Sequence, residues 1–209
     1  MIFQNRLDAA HQLARALAQY RGQHPLILAI PRGAVPMGAA LARELEGDLD
    51  VVLVHKLGAP WNPEYAVGAI DESGWFFVSD PQSTDPASLD GEKARQLKAL
   101  QARRARYAPG QPPISPQDRI VIVVDDGLAT GATMLAALHG LKARHPRKLI
   151  CAVPVAAPDS LERIRGQADE VTCLATPADF QAVGQFYRQF DQVEDTEVIA
   201  CLKDFRSRA

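Results

Sequence analysis

Residues 121–133 read VIVVDDGLATGAT, and no other part of the chain constrains the fold as tightly. Four β-branched residues make a short strand suited to burial on both faces. Two adjacent aspartates end it. Small residues and two threonines follow, and an apolar helical pattern starts at about Gly131. A strand running through a small-residue loop into a helix is the first half of a βαβ unit. Such units build parallel sheets covered on both faces, and ligands bind beyond the carboxyl ends of their strands.

The rest of the chain repeats the pattern. Asn5 caps a first helix with apolar spacing at Leu7, Ala10, Ala14 and Leu17, ended by Gly22. LILAI (26–30) is a buried strand, and 34–46 a helix with Pro36 in its first turn and Gly47 beyond its end. VVLV (51–54) reads as a second strand. AVGAI (66–70) and WFFVS (75–79) flank DESG and read as a hairpin. A loop over 80–90, a charged helix over 91–107 and an extended proline-rich connector over 109–117 come next. Strand 120–124, helix 131–144, strand 148–153, helix 158–166, strand 170–174 and a last helix near 195–204 complete the order. The expected fold class is α/β, a doubly wound, mainly parallel sheet in a single domain over 1–209.

Bulk properties narrow the function. The chain is 47% hydrophobic and 23% charged with a net charge of -2, enough apolar material for a large core. That balance argues against a nucleic-acid partner. No run approaches the ~18 apolar residues of a membrane span, and the N-terminus lacks a signal-peptide pattern. Cys151, Cys173 and Cys201 lie far apart with no CxxC pair, which fits buried thiols and a cytoplasmic protein. The histidines show no zinc-ligand spacing, so a metal held by the protein alone is not expected.

Three loops fall at carboxyl ends of strands: 31–33, 55–65 and 125–133. In the last, Gly127, Ala129, Gly131 and Ala132 leave the backbone bare, and the free N–H groups at the following helix start suit a phosphate. Asp125 and Asp126 would repel that phosphate. They suit sugar hydroxyls or a hydrated cation. Together the features imply a sugar phosphate. P-loop and dinucleotide readings fail for want of GxxxxGK[ST] or GxGxxG.

The string resembles the phosphoribosyl-pyrophosphate (PRPP) signature of type I phosphoribosyltransferases: apolar residues, an acidic pair, two variable positions, then a small-Thr-Gly-x-Thr ending. The resemblance implies that Asp125 and Asp126 hold the ribose hydroxyls and that Ala129, Thr130, Gly131, Ala132 and Thr133 hold the 5′-phosphate. Mg²⁺ would arrive with PRPP, with Asp125 or Asp126 as its protein oxygen donors. Ala129 stands where several purine enzymes carry an aspartate, while adenine-type members also have alanine there. AIPRGAVPMG (29–38) matches the family's pyrophosphate loop and assigns Arg32 and Gly33 to the leaving group, often through a cis peptide. VHKLGAPWNPEYAVGAI (54–70) resembles the strand end and closing loop over PRPP. It gives Lys56 a catalytic role with Arg32 and places His55 where many members have arginine. Gly58, Pro60, Asn62 and Pro63 would make the lid-like part.

The tail TPADFQAVGQFY (176–187) is similar to the base-binding region of hypoxanthine-guanine-type members, with Phe180 stacking on the base and Val183 beside it. By this resemblance 80–117 is a helical insertion and 175–209 a base-binding hood, the small subdomain beside the sheet. The expected activity is transfer of ribose 5-phosphate from Mg-PRPP to a purine-like nitrogen base with release of pyrophosphate, by a homodimer. The alternative is a non-catalytic PRPP- or nucleotide-binding regulator on the same fold. Arg103 and Arg104, in the basic segment 92–107, belong either to a solvated face or to the phosphate site.

Overall fold

The computed structural model describes residues 1–59, 62–78 and 86–208. Five strands form one parallel sheet: β1 (Leu26–Ala29), β2 (Asp48–Val51), β6 (Ile120–Val124), β7 (Lys148–Val155) and β8 (Glu170–Ala175), in the order β2-β1-β6-β7-β8. Among the described residues six α-helices accompany them: α1 (Arg6–Ala16), α2 (Ala34–Leu45), α3 (Pro86–Tyr107), α4 (Ala132–Lys142), α5 (Pro158–Arg165) and α6 (Asp195–Arg208). Both faces of the sheet are buried, and strand periodicity divides them. Ile27, Ala29, Ile122, Val124, Ile150 and Ala152 join a core with α1, α2 and α6. The alternate residues Leu28, Val121, Val123, Leu149, Cys151 and Val153 join a second core with Met134 and Leu138 of α4 and Leu161 of α5. This is the doubly wound arrangement expected from the sequence.

A second, antiparallel sheet has the order β3-β4-β5, from Val54–Ala59, Asn62–Asp71 and Phe76–Val78. The expected hairpin is its β4–β5 half, turned by Asp71, whose Oδ1 accepts from the Ser73 and Trp75 amides. Four sequence expectations are corrected. VVLV is not one strand. β2 ends at Val51 and β3 begins at Val54, so the apolar run spans the crossing between sheets, and burial in both hides the break. The expected loop over 55–65 is strand up to Ala59 and from Asn62 onward, and Pro60 lies outside the described residues. The helix expected to start at 91 starts at Pro86, since proline is favourable in a first turn. The part of the expected loop at 80–85 also lies outside the described residues. At the N-terminus, Asn5 caps α1 as expected, accepting from the Asp8 amide at 3.0 Å, but the α-helix ends at Ala16. A 3-10 turn, Ala18–Tyr20, carries the chain to Gly22.

α3 is pinned by a buried ionic network. Arg104 Nη1 donates to Asp50 Oδ1 at 2.6 Å, and its Nε and Nη2 donate to the two Glu72 carboxylate oxygens at 2.5 Å. Nη2 also donates to the Val51 carbonyl at 2.8 Å. Asp50 is 1% exposed, and its other oxygen accepts from the Ile114 amide. A buried carboxylate persists only with such partners. Arg104 is therefore a structural tie from α3 to β2 and the β4–β5 turn.

Candidate active site

Parallel pairing places two of the three suspected loops side by side. Ala29 of β1 registers with Val124 of β6, so residues 31–33 and 125–133 leave adjacent strands at the same level. The Pro31–Arg32 peptide is cis. Gly33 follows at the start of α2, and a Cβ there would overlap Asp126 Oδ2 and lie 3.2 Å from Arg6 Nε. Only glycine lets the two loops approach this closely. Gly131 takes φ +71 at the N-cap of α4, a left-handed conformation that glycine adopts without strain. Ala129, Thr130 and Thr133 are exposed around it. Ser160 Oγ donates to the Ala129 carbonyl at 2.6 Å and braces the loop from α5.

The N-terminus and the tail meet over the acidic pair. Phe3 bridges to Tyr187, and Arg188 and Gln189 donate to the Phe3 and Gln4 carbonyls. This pairing brings Arg6, in the first turn of α1, to Asp126. Arg6 Nε donates to Asp126 Oδ2 at 2.9 Å, and its Nη1 to the Asp191 carbonyl at 2.6 Å. The guanidinium lies 3.8 Å from the centre of the Phe190 ring, a cation–π stack. Tyr187 stacks on Phe190 at 4.8 Å and donates its hydroxyl to the Asp126 carbonyl at 2.7 Å.

The electrostatics follow from burial. Desolvation pushes the Asp125 carboxyl well above the usual carboxylate range, and the charge of Asp126 adds to it. Asp126 is pushed up by burial too, but Arg6 opposes the rise. His55 on β3 is held below its ordinary value, chiefly by burial and further by Arg103 and Lys56, against the opposing charge of Glu92.

Arg32, Gly33, Asp126 and Val183 line one cleft of about 730 Å³, together with Arg6, Arg103 and Phe190. Gln192, Val193 and Asp195 complete its wall from the tail and the start of α6. His55 and Lys56 lie on β3 outside that lining. Phe180 is also outside it, with its ring stacked on Phe186 at 5.4 Å. Arg6 and Phe190 were not legible from sequence: one reads as a polar position of an amphipathic helix, the other as a tail aromatic.

The pattern of an acidic pair, a small-residue loop and a neighbouring Pro-Arg-Gly turn has close counterparts. Residues 1–191 match the family model described as "Phosphoribosyl transferase domain". The chain belongs to the phosphoribosyl transferase family. A Mycobacterium tuberculosis (strain H37Rv) protein, named "Putative phosphoribosyl transferase Rv0571c", is 45% identical over 205 residues, 96% of this chain and 46% of that protein. The chain thus spans about half the length of the curated relatives it matches. The crystal structure of TT1426 from Thermus thermophilus superposes with a TM-score of 0.90 at 43% identity, covering 98% of this chain and 99% of that one. A hypoxanthine-guanine phosphoribosyl transferase of L. donovani shares the fold at 16% identity and a TM-score of 0.50, over 91% of this chain and 94% of that one. The type I phosphoribosyltransferase fold is therefore the fold of this chain, with the small antiparallel sheet as its added subdomain. Among the described residues, no helix is long and apolar enough to cross a membrane.

Proposed function

We propose that this domain transfers the 5-phosphoribosyl group of Mg-PRPP to a nitrogen base and releases pyrophosphate. The observation that carries the reading is the placement of Asp125 and Asp126 at the end of β6, between the α4 N-terminus and the 31–33 loop. The carboxylates would accept from the ribose 2′- and 3′-hydroxyls, and residues Ala129–Thr133 would donate backbone N–H groups to the 5′-phosphate. Arg32, Gly33 and Lys56 would face the pyrophosphate.

Among the described residues no cluster of three or more His, Cys, Asp or Glu is grouped to hold a metal. The donor set at the acidic pair is two carboxylates beside a phosphate loop, which fits Mg²⁺ carried in by the diphosphate rather than a protein cage. Asp125 or Asp126 would supply its protein oxygen, and when bound it supplies positive charge against the leaving group. The C1′–O bond breaks with its electron pair on pyrophosphate, the C1′–N bond forms to the base, and the base N–H proton leaves to solvent. Positioning and charge stabilisation carry such a step.

A purine-like acceptor is favoured because the tail matches the hypoxanthine-guanine pattern and Val183 and Phe190 give the cleft an apolar wall. The test is pyrophosphate release with PRPP, Mg²⁺ and a panel of adenine, guanine, hypoxanthine, xanthine, uracil and orotate. Release with none of these bases, in a protein that binds PRPP, would favour the regulatory reading.

A further inference from the structure

Three arginines close together on α3 have three different situations. Arg104 is consumed by Asp50 and Glu72. Arg106 pairs with Asp195 at the start of α6. Arg103 is exposed, lines the same cleft as Arg32, Gly33 and Asp126, and makes no hydrogen bond or ion pair among the described residues. The other two guanidinium groups of that cleft are engaged by acids. Arg6 is bound to Asp126 at 2.9 Å, and Arg32 lies 3.6 Å from Glu194.

The helix that carries Arg103 is fixed on both sides. Arg104 ties it to β2 and the β4–β5 turn, and the Tyr107 hydroxyl donates to Asp195 Oδ1 at 2.5 Å. Arg103 acts electrostatically on Asp195 in the cleft wall and on His55 of β3 outside it. An anion with two phosphates needs more than one cation, and a planar guanidinium donates to phosphate oxygens in pairs. A long side chain on a fixed helix can reach such a ligand without moving the backbone.

We infer that Arg103 is a ligand-binding residue of the site, supplied by α3 to the diphosphate end of the substrate. The inference rests on the phosphoribosyl-transfer reading above and adds to it a phosphate contact outside the signature loops. It also divides the basic face of α3: Arg104 serves the fold and Arg103 serves the ligand.

The test is calorimetric binding of Mg-pyrophosphate and of ribose 5-phosphate to wild type, Arg103→Gln, Arg103→Lys and Arg147→Gln. The last removes one surface charge just before β7, at the amino end of the sheet, as a control for net charge. Arg103→Gln should weaken pyrophosphate by about tenfold, the scale of one charge-assisted contact. Ribose 5-phosphate should bind as in wild type, Arg103→Lys should fall between, and Arg147→Gln should change neither ligand. Unchanged pyrophosphate affinity in Arg103→Gln overturns the assignment and leaves the transferase reading standing. Equal weakening of both ligands also overturns it, since the effect would then not belong to the diphosphate end. Wild type that binds neither pyrophosphate nor ribose 5-phosphate overturns both readings together.

Discussion

Arg6 and Asp126 are 120 residues apart in sequence and form a mostly buried ion pair, with side chains 13% and 17% exposed. Nε and Nη2 both reach the same carboxylate oxygen at 2.9 Å. The pair does two things. It offsets the desolvation of an acid that sits behind the sheet's carboxyl edge. It also closes the N-terminus against the tail, because the same guanidinium covers Phe190. Any hydroxyl that approaches Asp126 must share that carboxylate with Arg6.

Arg6→Ala should therefore destabilise the ligand-free protein by about 2 kcal/mol, since removing one partner of a buried pair strands the other. For a chain of this size that lowers the melting temperature by roughly 4–8 °C. Arg6 pulls the Asp126 ionisation down, so its loss raises it. The deficit should be largest where Asp126 is ionised and shrink as pH falls through that ionisation. Scanning calorimetry from pH 7 downward, through the Asp126 ionisation, checks this. A deficit that does not change with pH across it would show that the guanidinium acts through packing on Phe190.

Asp125→Asn should have the opposite sign in the ligand-free state. Its folded ionisation lies above the unfolded value, so the carboxyl favours the fold at low pH and loses that contribution as pH rises past the unfolded value. At pH 7 the amide removes the cost of burying this acid and keeps the oxygen that accepts from the Asp126 amide at 2.9 Å. A gain of about 1 kcal/mol, roughly 2–4 °C, is expected. The thermal shift given by Mg-PRPP should disappear in the same variant. A variant less stable than wild type contradicts the burial argument, and one with an intact ligand shift contradicts the hydroxyl-binding role.

The parts of the molecule legible from sequence share one property: their signal is local. β6, the small-residue loop and α4 are contiguous, so thirteen residues carry strand, loop and helix start together. Gly33 was singled out for its neighbours, and its reason proved to be Asp126 beside it in space. Where the signal was non-local, sequence failed. VVLV is apolar throughout, so nothing marks the point where the chain leaves one sheet for another. Arg6 reads as a solvated helix position until the bridge between Phe3 and Tyr187 brings the tail over it. Arg103 and Arg104 are adjacent and identical in type, and only the packing of α3 separates a buried tie from a cleft cation.

Gly33→Ala should be far more damaging than an alanine at Gly91. Its Cβ would overlap Asp126 Oδ2, so either the 31–33 loop or the acid must move. Loss of Mg-PRPP binding and a lower melting temperature are expected. Gly91→Ala, in α3 with nothing within 4 Å of its Cβ, should be neutral or stabilising by about 0.5–1 kcal/mol. Wild-type ligand binding in Gly33→Ala would show that the loop tolerates displacement.

His55 gives a pH signature. In the ligand-free chain burial lowers its ionisation, with Arg103 and Lys56 acting in the same direction and Glu92 against, so the ring is neutral at pH 7. A bound diphosphate favours the charged ring and raises that value. Binding then takes up a proton, and affinity should strengthen as pH falls from 8 to 6. Because the ligand titrates as well, the readout is the difference between wild type and His55→Arg. The arginine variant carries a fixed charge and should show the flatter profile. Coincident profiles would place His55 away from the phosphates.

The acceptor side separates two aromatics. The tail's resemblance pointed to Phe180 as the stacking face, but its ring rests on Phe186 at 5.4 Å, outside the cleft. Phe190 lines the cleft beside Val183, with Arg6 and Tyr187 packed on it. A base entering between Val183 and Phe190 would meet Phe190 first. Phe190→Ala should raise the Michaelis constant for the base by roughly three- to tenfold, since aromatic contacts are each worth about 0.5–1.5 kcal/mol beyond burial. It should also loosen Arg6 and so reproduce part of the Arg6→Ala instability. Phe180→Ala should act chiefly on stability, through the packing it gives Phe186, with a smaller change in base affinity. Steady-state kinetics for the preferred base, run beside thermal melts of both variants, distinguish the two. A larger Michaelis effect in Phe180→Ala than in Phe190→Ala would restore the position suggested by the sequence and imply that the tail rearranges when the base binds.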